Sequence, residues 1–282
     1  MTHFTIDEAA FLDCFPQRHF RVRHDLTDHP LLGLESLGRV ADRHPMHLVE
    51  YWSGKAAVIQ NPRTTPRNGL TLSETMRDIA TTESWVVLKY LEVHAEYREL
   101  LHALVDEVRP LAARRRHAAR RLESYVFISS PGSVTPFHMD DEHNFLLQVR
   151  GRKTFHAWTL DHPEIINSRQ LEAYYGGGHR NLFLPPEAVT PDLDFELAPG
   201  DGLYVPVHAP HWVKNGDAVS ISLSITFRSA QSIRDAHVHF LNAKLRRRGY
   251  HPRPCGESPV RDLCKYWAAR LGQRVIGRPQ HY

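Results

Sequence analysis

The segment from Ser124 to Arg228 restricts the possible folds more than any other part of this chain. It consists of short apolar or alternating runs separated by turn residues, among them Gly132 and Gly151. Alternation with a period of two is typical of strands that bury one face, and evenly spaced short strands indicate an antiparallel sandwich or barrel. Six or more strands favour a double-stranded β-helix, also called a jelly roll. The predicted strands are 125–129, 144–149, 153–158, 194–197, 202–205 and 219–227.

The regions on either side of this segment have a different pattern. Before it, the sequence predicts a mixed α/β region with strands at 56–60 and 85–90 and a helix at 96–108 that Pro110 soon follows. After it, helices are predicted from 230 to 245 and from 258 to 271. We therefore expect a mainly β fold with helical elaborations, divided into a domain at 1–229 and a helical segment at 230–282.

Composition excludes several classes of protein. The chain has 282 residues, 41% of them hydrophobic and 24% charged, which is ordinary for a globular protein. Its basic runs at 114–121 and 246–248 are interpreted as solvated helix faces, so no nucleic-acid partner is expected. Three cysteines without a CxxC pair favour a reducing compartment. No apolar run approaches eighteen residues, and the start of the chain lacks a signal region, so we expect a cytoplasmic protein without a membrane partner.

The residues best suited to chemistry are His138 and Asp140. Side chains two residues apart on a strand project from the same face, so these two can share a metal ion. A second histidine from a later strand would complete a facial triad of two imidazoles and one carboxylate, which is typical of non-haem Fe(II) oxygenases. We predict that His211 supplies it and that His138, Asp140 and His211 are the metal ligands. Glu142 and His208 remain alternatives.

Two further histidines near these residues receive other predictions. His208 precedes the turn that should direct His211 inward, and it is expected to line the entrance of the site. His143 should face away from the metal.

The long insert before Asp194 contains Tyr174, Tyr175 and Gly176-Gly-Gly178. These residues form either a mobile lid or an ordinary glycine-rich loop.

Three sequence motifs carry a resemblance to a known family. They are Thr135-Pro-Phe-His-Met-Asp140, Asn144-Phe-Leu-Leu-Gln-Val-Arg-Gly-Arg-Lys153, and Gly200-Asp-Gly-Leu-Tyr-Val-Pro206 continuing to His211. Together they resemble the Jumonji C, cupin-like oxygenases that depend on Fe(II) and 2-oxoglutarate, and most closely the branch with the asparaginyl hydroxylase that inhibits hypoxia-inducible factor. The resemblance covers roughly residues 124–228.

The resemblance implies roles for residues around the metal. Thr135 and Lys153 would hold the distal carboxylate of 2-oxoglutarate, and an ammonium on a rigid strand is chemically suited to a dianionic cosubstrate. Asn144 would lie beside the cosubstrate. Thr226 stands where the family often has an asparagine, and it completes the predicted cosubstrate contacts. Tyr90 is the available counterpart of a family tyrosine on an earlier strand, and Arg228 is an alternative carboxylate clamp.

The function that the resemblance implies is hydroxylation of an unactivated C–H bond, with succinate and CO2 as co-products. The expected substrate position is the β-carbon of an amino-acid side chain in a peptide or protein. Alternatives are a small-molecule hydroxylase acting on a free amino acid or natural product, a demethylase, a cupin enzyme with another metal, and a non-catalytic metal-binding sensor. Two short helices outside a β core cannot bury their apolar faces alone, so they pack either on the domain or on a partner subunit. We also expect a homodimer formed through residues 230–282.

Overall fold

The computed structural model describes residues 2–279, which form twelve strands and seven α-helices. The strands are β1 (Phe4–Thr5), β2 (Phe20–His24), β3 (Val49–Ser53), β4 (Ser84–Lys89), β5 (Arg120–Ser129), β6 (Val134–His138), β7 (His143–Arg150), β8 (Lys153–Ala157), β9 (Leu193–Leu197), β10 (Asp201–Val205), β11 (His211–Asn215) and β12 (Ser220–Arg228). The helices are α1 (Glu8–Cys14), α2 (Leu34–Ala41), α3 (Leu72–Arg77), α4 (Ala95–Arg114), α5 (Ser168–Tyr175), α6 (Ala230–Arg246) and α7 (Pro259–Ile276).

Two antiparallel sheets form the core of the molecule. The larger sheet has the order β1-β2-β10-β7-β12-β5-β4-β3, and the smaller one has the order β6-β11-β8-β9. From β5 onward, the chain therefore passes between the two sheets, as a double-stranded β-helix requires. The N-terminal strands extend the larger sheet at both of its edges. The predicted mainly β, cupin-like fold with terminal helices is confirmed.

Alternating burial determines which side chains point between the sheets. In β8, Lys153, Phe155 and Ala157 are buried, whereas the residues between them are partly exposed. Since successive side chains on a strand point to opposite faces, these three project into the interior. Lys153 is the one charged residue among them, so the fold places an ammonium group inside the barrel.

Three local predictions need correction. Residues 56–60 do not form a strand, although the Phe137 N–H does donate to the Val58 carbonyl over 2.8 Å. Strand β6 ends at His138, so Asp140 lies in the connection to β7, as Glu142 does, and it does not share a strand face with His138. Helix α4 continues past Pro110 to Arg114 because its buried apolar face continues to Ala112.

The insert between β8 and β9 is anchored to the barrel. Tyr174 and Tyr175, at the end of α5, are 4% and 1% exposed and belong to a buried cluster with Phe137, Trp158 and Phe240 of α6. Two aromatic side chains held in a packed interior do not form a mobile lid. Of the two interpretations of this insert, the structure therefore favours an ordinary loop after a helix.

Candidate metal centre

His138, Asp140 and His211 form a compact cluster of potential ligands. Each offers one ligand atom, and these three atoms lie within 4.8 Å of one another. Oδ2 of Asp140 is 3.7 Å from Nε2 of His138 and 3.8 Å from Nε2 of His211. Two imidazoles and one carboxylate are a donor set that suits a divalent ion of intermediate softness.

Backbone carbonyl groups orient both imidazoles. Nδ1 of His138 donates to the Pro136 carbonyl over 2.7 Å, and Nδ1 of His211 donates to the Ala209 carbonyl over 2.9 Å. A carbonyl only accepts, so the proton lies on Nδ1 and the Nε2 lone pair is left for a ligand bond. The Phe155 ring stacks on His211 with centroids 4.6 Å apart. Burial lowers the pKa of His211 to about 3, which favours the neutral form that binds metal.

The carboxylate of Asp140 is held in its ionised form. Burial alone would raise its pKa, but the charges of His138 and Arg180 outweigh burial and hold that pKa well below its usual range. Arg180 donates from Nη1 to Oδ1 over 2.8 Å. Asp140 therefore presents a charged oxygen to the two imidazoles without first having to lose a proton.

Glu142, the alternative carboxylate, belongs to a different cluster. It accepts a hydrogen bond from Nη2 of Arg228 over 2.7 Å, and the same guanidinium contacts Asp141 at 3.3 Å and Glu123 at 2.8 Å. Burial and the neighbouring Asp141 raise the pKa of Glu142 well above its ordinary value. Arg228 is thus engaged by three carboxylates of the chain, which disfavours it as the alternative clamp for a cosubstrate.

His208 and His143, the two further histidines considered in the sequence, point away from the cluster. Nε2 of His208 lies 2.7 Å from the Tyr175 hydroxyl, and His208 is not on the wall of the cavity beside the ligands, which disfavours its predicted place at the entrance. Nδ1 of His143 lies 2.8 Å from the Tyr204 hydroxyl, on the side of the sheet opposite the ligands, as expected. Of the two candidate histidines, the structure brings His211 and not His208 to the ligand cluster.

A cavity of about 320 Å³ opens beside the cluster. The predicted cosubstrate residues Thr135, Asn144 and Thr226 line it together with His138 and Asp140. The side chain of Asn144 accepts a hydrogen bond from the Ser224 hydroxyl over 2.5 Å, and the Thr226 hydroxyl donates to the Glu123 carbonyl over 3.4 Å. These contacts belong to the concave face of the larger sheet, which forms one wall of the cavity.

Lys153 is buried inside the barrel, behind the residues that line the cavity wall. The residue is 6% exposed, and among the described residues its ammonium has neither an ion pair nor a hydrogen bond. Burial lowers its pKa to about 7. Its cross-strand neighbour Asn215 has a buried Oδ1 without a donor in the described chain. An unpaired buried cation is costly unless a counter-anion is supplied, so this position fits the carboxylate of a bound acid.

Sequence reasoning missed several residues of the cavity wall. Tyr125 and Phe127 of β5 line it, and the alternation of that strand was the signal that could have identified them. Trp52 and Trp85 are cross-strand partners that also line it. Arg180 lies in the long insert, where no periodic pattern predicts its position. Tyr90 lines the cavity from a left-handed backbone position with φ 56° and packs 5.4 Å from the Tyr125 ring.

Comparison with known proteins supports the fold and the type of domain. Residues 104–234 match a family described as JmjC domain, which is less than half of the 282 residues. HSPB1-associated protein 1 of Rattus norvegicus is 30% identical over 115 residues, covering 36% of this chain and 23% of that protein. Ribosomal oxygenase 2 of the same species is 31% identical over 111 residues, covering 39% and 21%. The matches thus span about a quarter of the length of these curated relatives.

Among solved structures, the chain resembles YcfD, a ribosomal oxygenase from Escherichia coli in complex with cobalt and 2-oxoglutarate. The TM-score is 0.52 at 16% identity, covering 100% of this chain and 70% of that chain. This likeness shows a shared fold. The fold and the triad define a cupin-like barrel with a candidate metal site, and residues 104–234 of this barrel match the JmjC domain. The closer likeness to the asparaginyl hydroxylase branch stays a prediction.

No helix among residues 2–279 combines the length and the apolar character needed to cross a bilayer.

Proposed function

We propose that this chain is an Fe(II)- and 2-oxoglutarate-dependent dioxygenase that hydroxylates an unactivated C–H bond. The observation that carries the proposal is the cluster of His138, Asp140 and His211, whose ligand atoms lie within 4.8 Å of one another beside a cavity. Supporting it are the JmjC match over residues 104–234 and the fold shared with a ribosomal oxygenase that binds cobalt and 2-oxoglutarate.

Fe(II) is the metal that best fits the donor set. The chain offers two neutral imidazoles and a single carboxylate, which leaves three of six octahedral positions for other ligands. A structural zinc site would instead be closed by four protein ligands. His138 and His211 would each bind through Nε2, and Asp140 through Oδ2.

The two ends of 2-oxoglutarate differ in chemistry and would bind to different groups of the site. The 2-oxo acid end of 2-oxoglutarate would lie at the metal, and its distal carboxylate would lie toward Lys153, with Thr135 and Asn144 on the cavity wall. The buried ammonium supports this arrangement because it has no anionic partner among the described residues. Thr226 would contribute a hydroxyl on the same wall.

When bound, Fe(II) with 2-oxoglutarate and O2 supplies the oxidation: one oxygen atom enters the C–H bond, and the other enters succinate as CO2 is released. The chain's own residues orient the reactants and exclude water. Phe155 would hold the His211 ring in place by stacking on it, and Tyr174 of α5, which is 4% exposed, would form part of the cavity wall. A cavity that excludes water would protect a reactive centre from side reactions.

We further propose that the substrate is a peptide or protein, modified at the β-carbon of an amino-acid side chain. The names of the ribosomal oxygenases among the similar proteins favour a macromolecular substrate. The wide aromatic wall formed by Trp52, Trp85 and Tyr125 offers apolar contact to a side chain. A free amino acid or another small molecule is the second candidate, and a metal-binding sensor without turnover is the third.

A homodimer formed through the C-terminal helices is part of the proposal. Helix α7 buries Ala269 and Asp262 against the protein, whereas its opposite face exposes five large apolar side chains at helical spacing: Val260, Leu263, Trp267, Leu271 and Val275. A contiguous apolar stripe of this kind is typical of an interaction surface. The division at residues 229 and 230 and a cytoplasmic location remain part of the same proposal.

The proposed reaction is tested by loading the protein anaerobically with Fe(II) and adding 2-oxoglutarate, O2 and a library of peptides. The expected result is succinate together with a peptide that gains the mass of one oxygen atom. Succinate without any modified peptide, but with a modified free amino acid, would select the small-molecule alternative. Metal binding without succinate under any condition would contradict an oxygenase and select the sensor.

A further inference from the structure

The segment 179–182, in the connection between β8 and β9, runs beside the end of the strand that carries His138. Asn181 forms an isolated antiparallel bridge with His138. Next to it, the Met139 N–H donates to the Arg180 carbonyl over 3.2 Å. The backbone around Arg180 is therefore held in a defined register against the residues that supply the proposed ligands.

This register directs the Arg180 side chain to one oxygen of Asp140. Nη1 of Arg180 donates to Oδ1 over 2.8 Å. The other oxygen, Oδ2, faces Nε2 of His138 at 3.7 Å and Nε2 of His211 at 3.8 Å. The two oxygens thus have different partners, and only Oδ2 points to the place where a shared ion would lie.

The number of oxygens that a carboxylate gives to a metal decides how many positions stay open. Carboxylates bind metals through one oxygen or through both. With one oxygen from Asp140, three positions of an octahedron remain, two for the 2-oxo acid and one for O2. With both oxygens, one of these positions is lost, and the cosubstrate and O2 would compete for the remaining two.

We propose that Arg180 is a positioning residue that restrains Asp140 to one-oxygen coordination and thereby keeps the third position open. This inference rests on the proposed function, since it concerns the same metal ligands. Partners of metal-bound carboxylates commonly orient them, and their loss typically changes metal affinity or activity by about 10- to 100-fold. Arg180 lies in the connection between β8 and β9, outside the core strands. This connection would therefore contribute to the metal site as well as to the cavity wall.

The alternative role for Arg180 is direct binding of an anionic ligand, because its side chain is 43% exposed and lines the cavity. The two roles predict different coordination of the metal before any cosubstrate is added. A restraint on Asp140 changes the coordination of the bare metal site, whereas a direct anion contact leaves that coordination unaltered. The test therefore starts from protein loaded with Co(II) alone.

The experiment compares the visible absorption of the cobalt-loaded wild-type protein with that of Arg180→Ala, Arg180→Met and Arg180→Lys. A second carboxylate oxygen would replace one water molecule on the metal and change its ligand field, so the Ala and Met variants should show cobalt bands shifted from those of wild type before 2-oxoglutarate is added. The same two variants should then bind 2-oxoglutarate about tenfold more weakly. Arg180→Lys keeps a hydrogen-bond donor and a positive charge, so its cobalt bands and its affinity for 2-oxoglutarate should be close to those of wild type.

Arg169→Ala is the matched control, because Arg169 is an exposed arginine of the same insert with no ion pair in the described part of the chain. It should behave as wild type. Should Arg180→Ala fail to fold, Arg180→Met, which keeps the apolar stem, carries the comparison. Unchanged cobalt bands in both neutral variants, or an equal change in Arg169→Ala, would overturn the restraint. Failure of the wild-type protein to bind Co(II) at all would overturn the metal site and, with it, the proposed function.

Discussion

His138 and His211 are direct Cα partners across the antiparallel strands β6 and β11, and their rings lie 4.2 Å apart. Opposed residues on neighbouring strands bring their side chains close together on the same face. One strand pairing therefore joins two imidazoles that are far apart in the sequence. Asp140 reaches the same point because the chain turns immediately after His138.

Replacing any one of the three proposed ligands by alanine should abolish tight metal binding. His138→Ala, Asp140→Ala and His211→Ala each remove one of three protein donors, and a metal held by the remaining two is bound weakly. Calorimetric titration with Co(II) measures the effect. His208→Ala should keep wild-type affinity, since its ring contacts Tyr175. Loss of binding in the His208 variant, with retention in the His211 variant, would reverse the ligand assignment.

Lys153→Met should weaken binding of 2-oxoglutarate to the cobalt-loaded protein by roughly 30-fold or more, because truncating one partner of a buried charge pair costs about 2–5 kcal/mol. Metal affinity should change little, since Lys153 is not a ligand. Lys214→Met is the matched control: Lys214 is an exposed lysine on the adjacent strand that donates to the Gly132 carbonyl. Equal affinity for 2-oxoglutarate in wild type and Lys153→Met would contradict the proposed role of the ammonium.

Lys153 should also affect how the free energy of unfolding depends on pH. Burial lowers its pKa from 10.5 to about 7, so between these values the unfolded chain holds a proton that the folded chain has lost. Stability increases with pH wherever the unfolded state binds more protons. Lys153→Met should therefore remove part of a rise in the free energy of unfolding between pH 7 and 10.5. Parallel curves for the metal-free wild type and variant, from denaturant titrations, would contradict an unpaired buried lysine.

Arg228→Met should destabilise the protein by about 3–5 kcal/mol, because it leaves buried carboxylates without their cation. Arg228 is fully buried and contacts Glu123, Asp141 and Glu142. Arg120→Met is the control, since Arg120 is its exposed cross-strand partner. Chemical denaturation measures both variants, and a loss for Arg228→Met no larger than for Arg120→Met would show that the cluster does not depend on this guanidinium.

Leu271→Asp should convert a dimer into a monomer, because it places a charge in the centre of the apolar stripe on α7. Leu271 is 82% exposed in the single chain. Arg261→Asp, on an exposed position to the side of the stripe, should leave the dimer intact. Light scattering coupled to gel filtration distinguishes the two states, and a wild-type monomer at all concentrations would reject the proposed dimer.

The core strands could be predicted from the sequence because their apolar residues alternate with polar ones or form short apolar runs. The predicted strand at 153–158 corresponds to Lys153–Ala157, and the one at 219–227 corresponds to Ser220–Arg228. Likewise, the helices predicted at 230–245 and 258–271 correspond to Ala230–Arg246 and Pro259–Ile276. This pattern indicated the class of fold, but β6 and β11, which carry His138 and His211, were not among the predicted strands.

Other features depend on tertiary contacts, which leave no periodic pattern in the local sequence. His211 was placed after a turn that follows a strand, whereas it begins a strand of its own. The apolar run at 56–60 meets β6 through a backbone hydrogen bond without extending into a strand. The contact between Arg180 and Asp140 joins two irregular segments. Such contacts are decided by tertiary packing, which periodicity and propensity do not encode.

The most direct test of the proposed chemistry is the formation of succinate from 2-oxoglutarate by protein loaded with Fe(II) in the presence of O2. Wild type should form succinate, slowly without substrate and faster with it, while His138→Ala, Asp140→Ala and His211→Ala should form none above the level of free Fe(II). A wild-type protein that holds Fe(II) and 2-oxoglutarate but forms no succinate, or a His138→Ala protein that forms as much as wild type, would contradict it.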